Sequence, residues 1–133
     1  MTKIIIVSGQ GNTGKTSAIR RTISLCCKGL WKATGDITLI APVRKKGVVH
    51  HIGFASGGDT KAIVQSNIDF FEKHKWDCLI FASKSRGATL ALLNKFAAAK
   101  GIHPIYIATI RQPPHSTNAY CDAIARQITV NIP

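Results

Sequence analysis

The sequence predicts an α/β protein: a mostly parallel sheet of about five strands, one of them antiparallel, with helices on both faces in three layers. Three observations carry that expectation. Short apolar runs alternate with stretches of helical periodicity, the order expected when helices cover a sheet. The first run, Ile4-Ile5-Ile6-Val7, is apolar at every position, as in a strand buried on both faces in the middle of a sheet. Two later runs, 37–41 and 48–55, are joined only by Pro42-Val43-Arg44-Lys45-Lys46-Gly47. That link is too short for a crossover helix, so the two strands should pair antiparallel.

The elements follow in order. From Lys15 to Lys28 the residues Ile19, Ile23, Cys26, Cys27 and Leu30 recur at helical spacing, with Gly29 suited to the C-terminal cap. A helix is predicted from about Thr60 to Lys75, with Ile63, Val64, Ile68 and Phe71 facing inward. A strand over 78–82 precedes a helix from Gly87 to Lys100 that turns Leu90, Leu93, Phe96 and Ala97 inward and ends at Gly101. A strand over 105–108 leads to a last helix over 118–128, carrying Tyr120, Ile124 and Ile128.

The composition sets bounds on this. A chain of 133 residues with 45% hydrophobic and 18% charged residues fits one compact domain, residues 1–133. No apolar run approaches the roughly 18 residues of a membrane span, and the start of the chain reads as a first strand, not a secretory signal. A cytoplasmic protein with no membrane partner is the expectation. The cysteines form no Cys-x-x-Cys pair, and Cys26, Cys78 and Cys121 fall at apolar positions as small core residues. His50 and His51 point to opposite faces of a strand and do not form a metal pair. Eighteen basic residues against six acidic ones give a net charge of +12, which favours polyanions: nucleotides, nucleic acid or an acidic protein. A second copy of the chain remains a further candidate partner.

The chemistry is concentrated in Gly9-Gln10-Gly11-Asn12-Thr13-Gly14-Lys15-Thr16, which matches G-x-x-x-x-G-K-[ST] in full, directly after an apolar strand and directly before an amphipathic helix. Glycines at 9 and 14 allow backbone geometry and close approach that a Cβ would block. The N–H groups from Gly11 to Thr16 can wrap a phosphate at the positive end of the helix dipole. With Ser17 the segment resembles the Walker A element of the P-loop NTPase superfamily. The resemblance covers little more than the first strand and helix. It implies binding of ATP or GTP with Mg²⁺, with Lys15 bridging the β- and γ-phosphates and the Thr16 hydroxyl on the metal. Hydrolysis or phosphoryl transfer usually accompanies that binding.

In an open α/β sheet, ligands sit beyond the carboxyl ends of the parallel strands. That edge should gather Gly57-Gly58-Asp59, Ser83-Lys84-Ser85-Arg86 and Arg111-Gln112. The superfamily's metal-orienting acid closes a strand, and this sequence departs from the pattern: Ser56-Gly57-Gly58 intervenes before Asp59. Asp59 is the leading candidate for the metal or the attacking water, with a helix N-cap as its competing role. Asp36, in Thr34-Gly35-Asp36 ahead of an antiparallel strand, is the second metal candidate; the segment resembles the first switch of Ras-type GTPases, where a threonine before such a strand meets Mg²⁺. Asp77 lies at the far edge. Arg86 is a candidate cation for the γ-phosphate, with Lys84 beside it, and Arg111 a candidate nucleotide contact. Guanine-specific members of the superfamily usually show Asn/Thr-Lys-x-Asp at the end of a later strand; the equivalent stretch here is Ser83-Lys84-Ser85-Arg86, with Arg86 in the place of the acid, so the resemblance favours ATP over GTP. Arg44-Lys45-Lys46, at the opposite edge, is either a solvated hairpin tip or a docking site for nucleic acid or an acidic partner. The functional expectation is a small Mg-ATPase. A small-molecule or nucleotide kinase and a non-catalytic nucleotide-dependent binding module are the alternatives.

Overall fold

The structure is a computed structural model that describes residues 2–10, 14–27, 36–110 and 117–133. Five strands and four helices follow in the order β1 (Lys3–Ser8), α1 (Lys15–Cys26), β2 (Thr38–Lys45), β3 (Val48–Ala55), α2 (Lys61–Glu72), β4 (Cys78–Ser83), α3 (Ala88–Ala99), β5 (Ile105–Ala108) and α4 (Thr117–Asn131). They form one sheet with strand order β2-β3-β4-β1-β5. All neighbouring pairs are parallel except β2 and β3. The mostly parallel five-stranded sheet and its antiparallel pair are as the sequence predicts.

β1 sits inside the sheet because it has no polar face. Ile4, Ile5, Ile6 and Val7 are fully buried, each stabilising the fold by about 1.5–3 kcal/mol relative to exposure. Alternation divides them between two cores. Ile5 and Val7 pack with Ile19 and Ile23 of α1 and Ile124 and Ile128 of α4. Ile4 and Ile6 pack with Val64 and Phe71 of α2 and Leu93 and Phe96 of α3. Helices therefore cover both faces of the sheet.

Several boundaries differ from expectation, each for a local reason. The link between β2 and β3 is a two-residue turn, not six: Lys46 and Gly47 both take positive φ, 52° and 80°, the geometry that matches strand twist in a tight hairpin. Pro42 is thereby a strand residue, paired with His51, and is tolerated because β2 is an edge strand. Ile63 was expected inside α2 but is 36% exposed, while Asn67 takes an inner position and is buried. In α3 the buried residue of the first turn is Thr89, with Leu90 only partly buried. α1 ends at Cys26, so Cys27 turns into the core and Cys26 is left half-buried. Gly29, Leu30 and Trp31 lie outside the described residues. Among the described residues, no helix is long and apolar enough to cross a membrane.

Candidate functional site

The carboxyl ends of β1, β3, β4 and β5 share one edge of the sheet, and the amino end of β2 joins them because β2 runs the other way. The register fixes this: Ser8 lies beside Ser83 and Ala108, and Ala55 lies beside both Phe81 and Thr38. Hydrogen bonds then tie the strand exits together. Gly9 N–H donates to Ser83 O at 3.1 Å, and Thr109 N–H donates to Ser8 O at 2.7 Å.

From β1 the chain passes through the glycine-rich segment into α1. Gly11, Asn12 and Thr13 lie outside the described residues. Gly14 is the N-cap of α1, at φ 87° and ψ 14°, a left-handed conformation that favours glycine. An added Cβ there would also stand 3.0 Å from Cys121 Sγ of α4. Lys15, the first residue of the helix, is only 6% exposed. Its Nζ donates to Gly9 O at 2.6 Å and to Gln10 O at 3.2 Å. Burial holds the Lys15 ammonium below its ordinary pKa; Asp59 opposes that and Lys84 adds to it. Ser17, next on α1, is exposed.

Thr16 sits beside the exit of β3, its Oγ1 donating to Ser56 O at 3.1 Å. This exit is firmly held. Ser56 N–H donates to Ile37 O at 2.9 Å, and Ile37 N–H donates to Ser56 Oγ at 2.7 Å. Asn67 reaches up from α2, its Nδ2 donating to Gly57 O at 2.9 Å while its Oδ1 accepts from Thr38 Oγ1 at 2.8 Å. Gly58 then passes hard against β4: a Cβ there would lie 2.1 Å from Ala82 O. Only glycine can pass so close to a backbone carbonyl.

This crossing matters because β4, not β3, neighbours β1 on that side. The two glycines carry the chain from β3 over the end of β4, and the next residue, Asp59, comes within electrostatic reach of Lys15. The competing role for Asp59 is filled by Thr60, which caps α2 by accepting Ile63 N–H at 3.2 Å on its Oγ1. Asp36 joins the same cluster, its Oδ2 lying 3.1 Å from where a Gly57 Cβ would stand. Lys84 follows β4, its N–H donating to Thr89 Oγ1 at 3.3 Å. Arg86 lies just before the Gly87 cap of α3, and both it and Lys84 are exposed; it is the Lys84 charge that adds to the lowering of the Lys15 pKa. Arg111 lies outside the described residues.

Two other expectations resolve at the far edge. Asp77 is there, its Oδ2 accepting His51 N–H at 2.7 Å. The basic hairpin tip is partly committed to the fold, because Lys45 Nζ donates to the carbonyls of Thr129 and Ile132 at the end of α4. Arg44 and Lys46 remain exposed.

The sequence reading missed Ser56 and Asn67. Asn67 had a signal, a polar residue three positions after Val64 on the apolar stripe of α2. Ser56 had none, since a small polar residue after a strand is ordinary. Chemically, the carboxyl edge assembles a buried ammonium, a helix N-terminus, a hydroxyl and two carboxylates. Among the described residues no three His, Cys, Asp or Glu side chains converge on a metal position. Thr16, Asp36 and Asp59 are hard oxygen donors suited to Mg²⁺, which binds through one or two protein groups when phosphates supply the rest. No protein-family model matches the sequence, and no curated protein is significantly similar to it.

Proposed function

We propose that the chain is a small P-loop NTPase that binds Mg-ATP, in preference to GTP, along Gly9–Ser17 and hydrolyses the γ-phosphate. One observation carries the reading. Lys15 holds a positive charge at 6% exposure with main-chain carbonyls at 2.6 and 3.2 Å as its hydrogen-bond acceptors. A buried charge is costly unless it is well paired; exposed Asp59 offsets the burial of Lys15 only in part, since the ammonium's pKa is still lowered, and a triphosphate at the N-terminus of α1 would supply a stronger counter-charge.

In this reading Lys15 gives up its carbonyl partners for β- and γ-phosphate oxygens. The N-terminal amides of α1 add their partial positive charge. Thr16 and Asp36 hold the cation, and Asp59 orients the attacking water. Lys84, and Arg86 at the start of α3, would stabilise charge on the transferring group. Mg²⁺ brought by the nucleotide would neutralise phosphate charge. Preference for ATP rests on Arg86, which stands where a guanine-selecting carboxylate is expected.

Phosphate release from Mg-ATP, measured in steady state, tests the reading. Wild type should turn over, Lys15→Met should lose at least about 100-fold, and Asp59→Asn should keep binding but lose turnover. Binding without release would favour the non-catalytic module, which the exposed position of Asp59 keeps in view. Transfer of the γ-phosphate to a nucleoside or metabolite would favour the kinase. No binding of either ATP or GTP would sink the proposal.

A further inference from the structure

We infer that the main-chain carbonyl of Ser56 does the orienting work for which this sequence has no strand-end carboxylate: it accepts the hydrogen bond of the Thr16 hydroxyl and leaves that oxygen's lone pairs facing the nucleotide's cation. The inference rests on the Mg-nucleotide reading of the same site.

A threonine side chain has one proton to donate and two lone pairs to offer. An unfixed hydroxyl can turn its proton toward a cation, where it repels. Thr16 Oγ1 donates to Ser56 O at 3.1 Å, so the proton is placed and the lone pairs point elsewhere. A carbonyl can do this only if it is itself immobile, and the exit of β3 is held on every side. Ser56 makes two bonds to Ile37, at 2.9 Å through its N–H and 2.7 Å through its Oγ. The next peptide is held by Asn67 at 2.9 Å, and Asn67 is aligned in turn by Thr38 at 2.8 Å. Gly58 rests against the Ala82 carbonyl. Asn67 is 5% exposed and Ser56 1%, buried polar groups whose bonds go largely to fixing this one turn. Asn67 and Ser56 are thus positioning residues, acting on the cation only through the Ser56 carbonyl and Thr16.

The arrangement also accounts for the Ser56-Gly57-Gly58 spacer. A neutral carbonyl beside the hydroxyl leaves the carboxylates of Asp36 and Asp59 for the cation or water; the glycines let the chain cross β4 to deliver Asp59, while Asp36 arrives from the start of β2.

The test measures ATP affinity by calorimetry in excess EDTA and again in excess Mg²⁺, for wild type, Ser56→Ala and Asn67→Ser. Far-ultraviolet circular dichroism and nucleotide-free melting confirm folding, and Ser56→Ala decides the matter if Asn67→Ser does not fold. Affinity in EDTA should stay within about twofold of wild type, while the gain on adding Mg²⁺ should shrink by about three- to tenfold, the worth of one well-placed hydrogen bond. Thr16→Ser, which keeps the hydroxyl, should retain most of the gain, and Thr16→Val should lose it. If wild type gains affinity with Mg²⁺ and the folded variants keep the full gain, the Ser56 role is overturned while the nucleotide reading stands. If wild type shows no gain at all, the nucleotide reading fails and takes this inference with it.

Discussion

Replacing Gly58 with alanine should move the exit of β3 and uncouple it from α1, and the structure gives the size of the effect. The new Cβ would stand 2.1 Å from Ala82 O and 2.4 Å from Ala82 C, where ordinary contacts begin at 3.4 Å. Those atoms are backbone inside a buried strand, so they cannot swing aside, and the segment 56–59 must retreat by on the order of 1 Å. A retreat of that size carries Ser56 O out of reach of Thr16 Oγ1, now at 3.1 Å. Overpacking of this kind costs about 1–3 kcal/mol, and each broken hydrogen bond adds about 0.5–1.5 kcal/mol. At about 3–5 °C per kcal/mol for a domain of this size, melting should fall by roughly 5–20 °C. The control is Gly57→Ala. Its Cβ would meet Ile63 Cγ2 at 2.9 Å, a γ-methyl on a helical β-branched side chain, and Asp36 Oδ2 at 3.1 Å; these are side-chain and not backbone atoms and the overlap is smaller, so its cost should stay near the low end, about 1 kcal/mol. Urea denaturation of both variants without nucleotide measures the difference. Equal stabilities would refute the crossing of β3 over β4 as described.

The remaining predictions concern Lys15, the caps and the thiols. Burial lowers the Lys15 pKa, so between that lowered value and the ordinary value of about 10.4 the unfolded chain binds more protons and stability rises with pH. Lys15→Met should therefore stabilise the nucleotide-free protein near neutrality by about 0.5–2 kcal/mol, and its advantage should shrink as pH climbs through that window; a constant difference in urea midpoints would refute it. Gly14→Ala should cost about 1–2 kcal/mol from its left-handed backbone, with Cys121→Ala relieving only the steric remainder in a double-mutant cycle. Thr60→Ala should cost about 1 kcal/mol through loss of the α2 cap, whereas Asp59→Ala should cost little, as thermal melts of the two will show. Burial pushes the Cys27 thiol up to about 11 and Cys78 up to about 12, so at pH 8 an aromatic disulfide reagent should label half-buried Cys26 first and Cys78 only on unfolding.

How much of this was legible in the sequence depends on where each signal is stored. The apolar run 4–7 and the glycine pattern 9–16 are local, so a central strand followed by a helix could be read directly. The antiparallel pair was legible from the length of its link, although the turn itself was misjudged because Pro42 obscured an edge strand. The strand order was not legible, since nothing local says that β4 lies between β1 and β3. That placement is what makes the Gly57-Gly58 spacer necessary, so the detached Asp59 read as a departure when it is a consequence of topology. The N-cap role weighed for Asp59 falls one residue later, on Thr60, because both side chains can cap and only the position of the helix start decides between them. The parts played by Ser56 and Asn67 depend on contacts 10 to 40 residues apart in the chain, which hydrophobic periodicity does not report.

In the proposed function, the Lys15 ammonium and the helix N-terminus at 14–16 receive a polyphosphate. Calorimetric titration with Mg-ATP, ATP alone, AMP and adenosine tests it most directly, on wild type beside Lys15→Ala. The expected result is one site, tightening from AMP to ATP to Mg-ATP, silent toward adenosine and weakened by at least about 100-fold in the variant. Equal affinity of the two proteins for Mg-ATP, or heat of binding from adenosine alone, would contradict it.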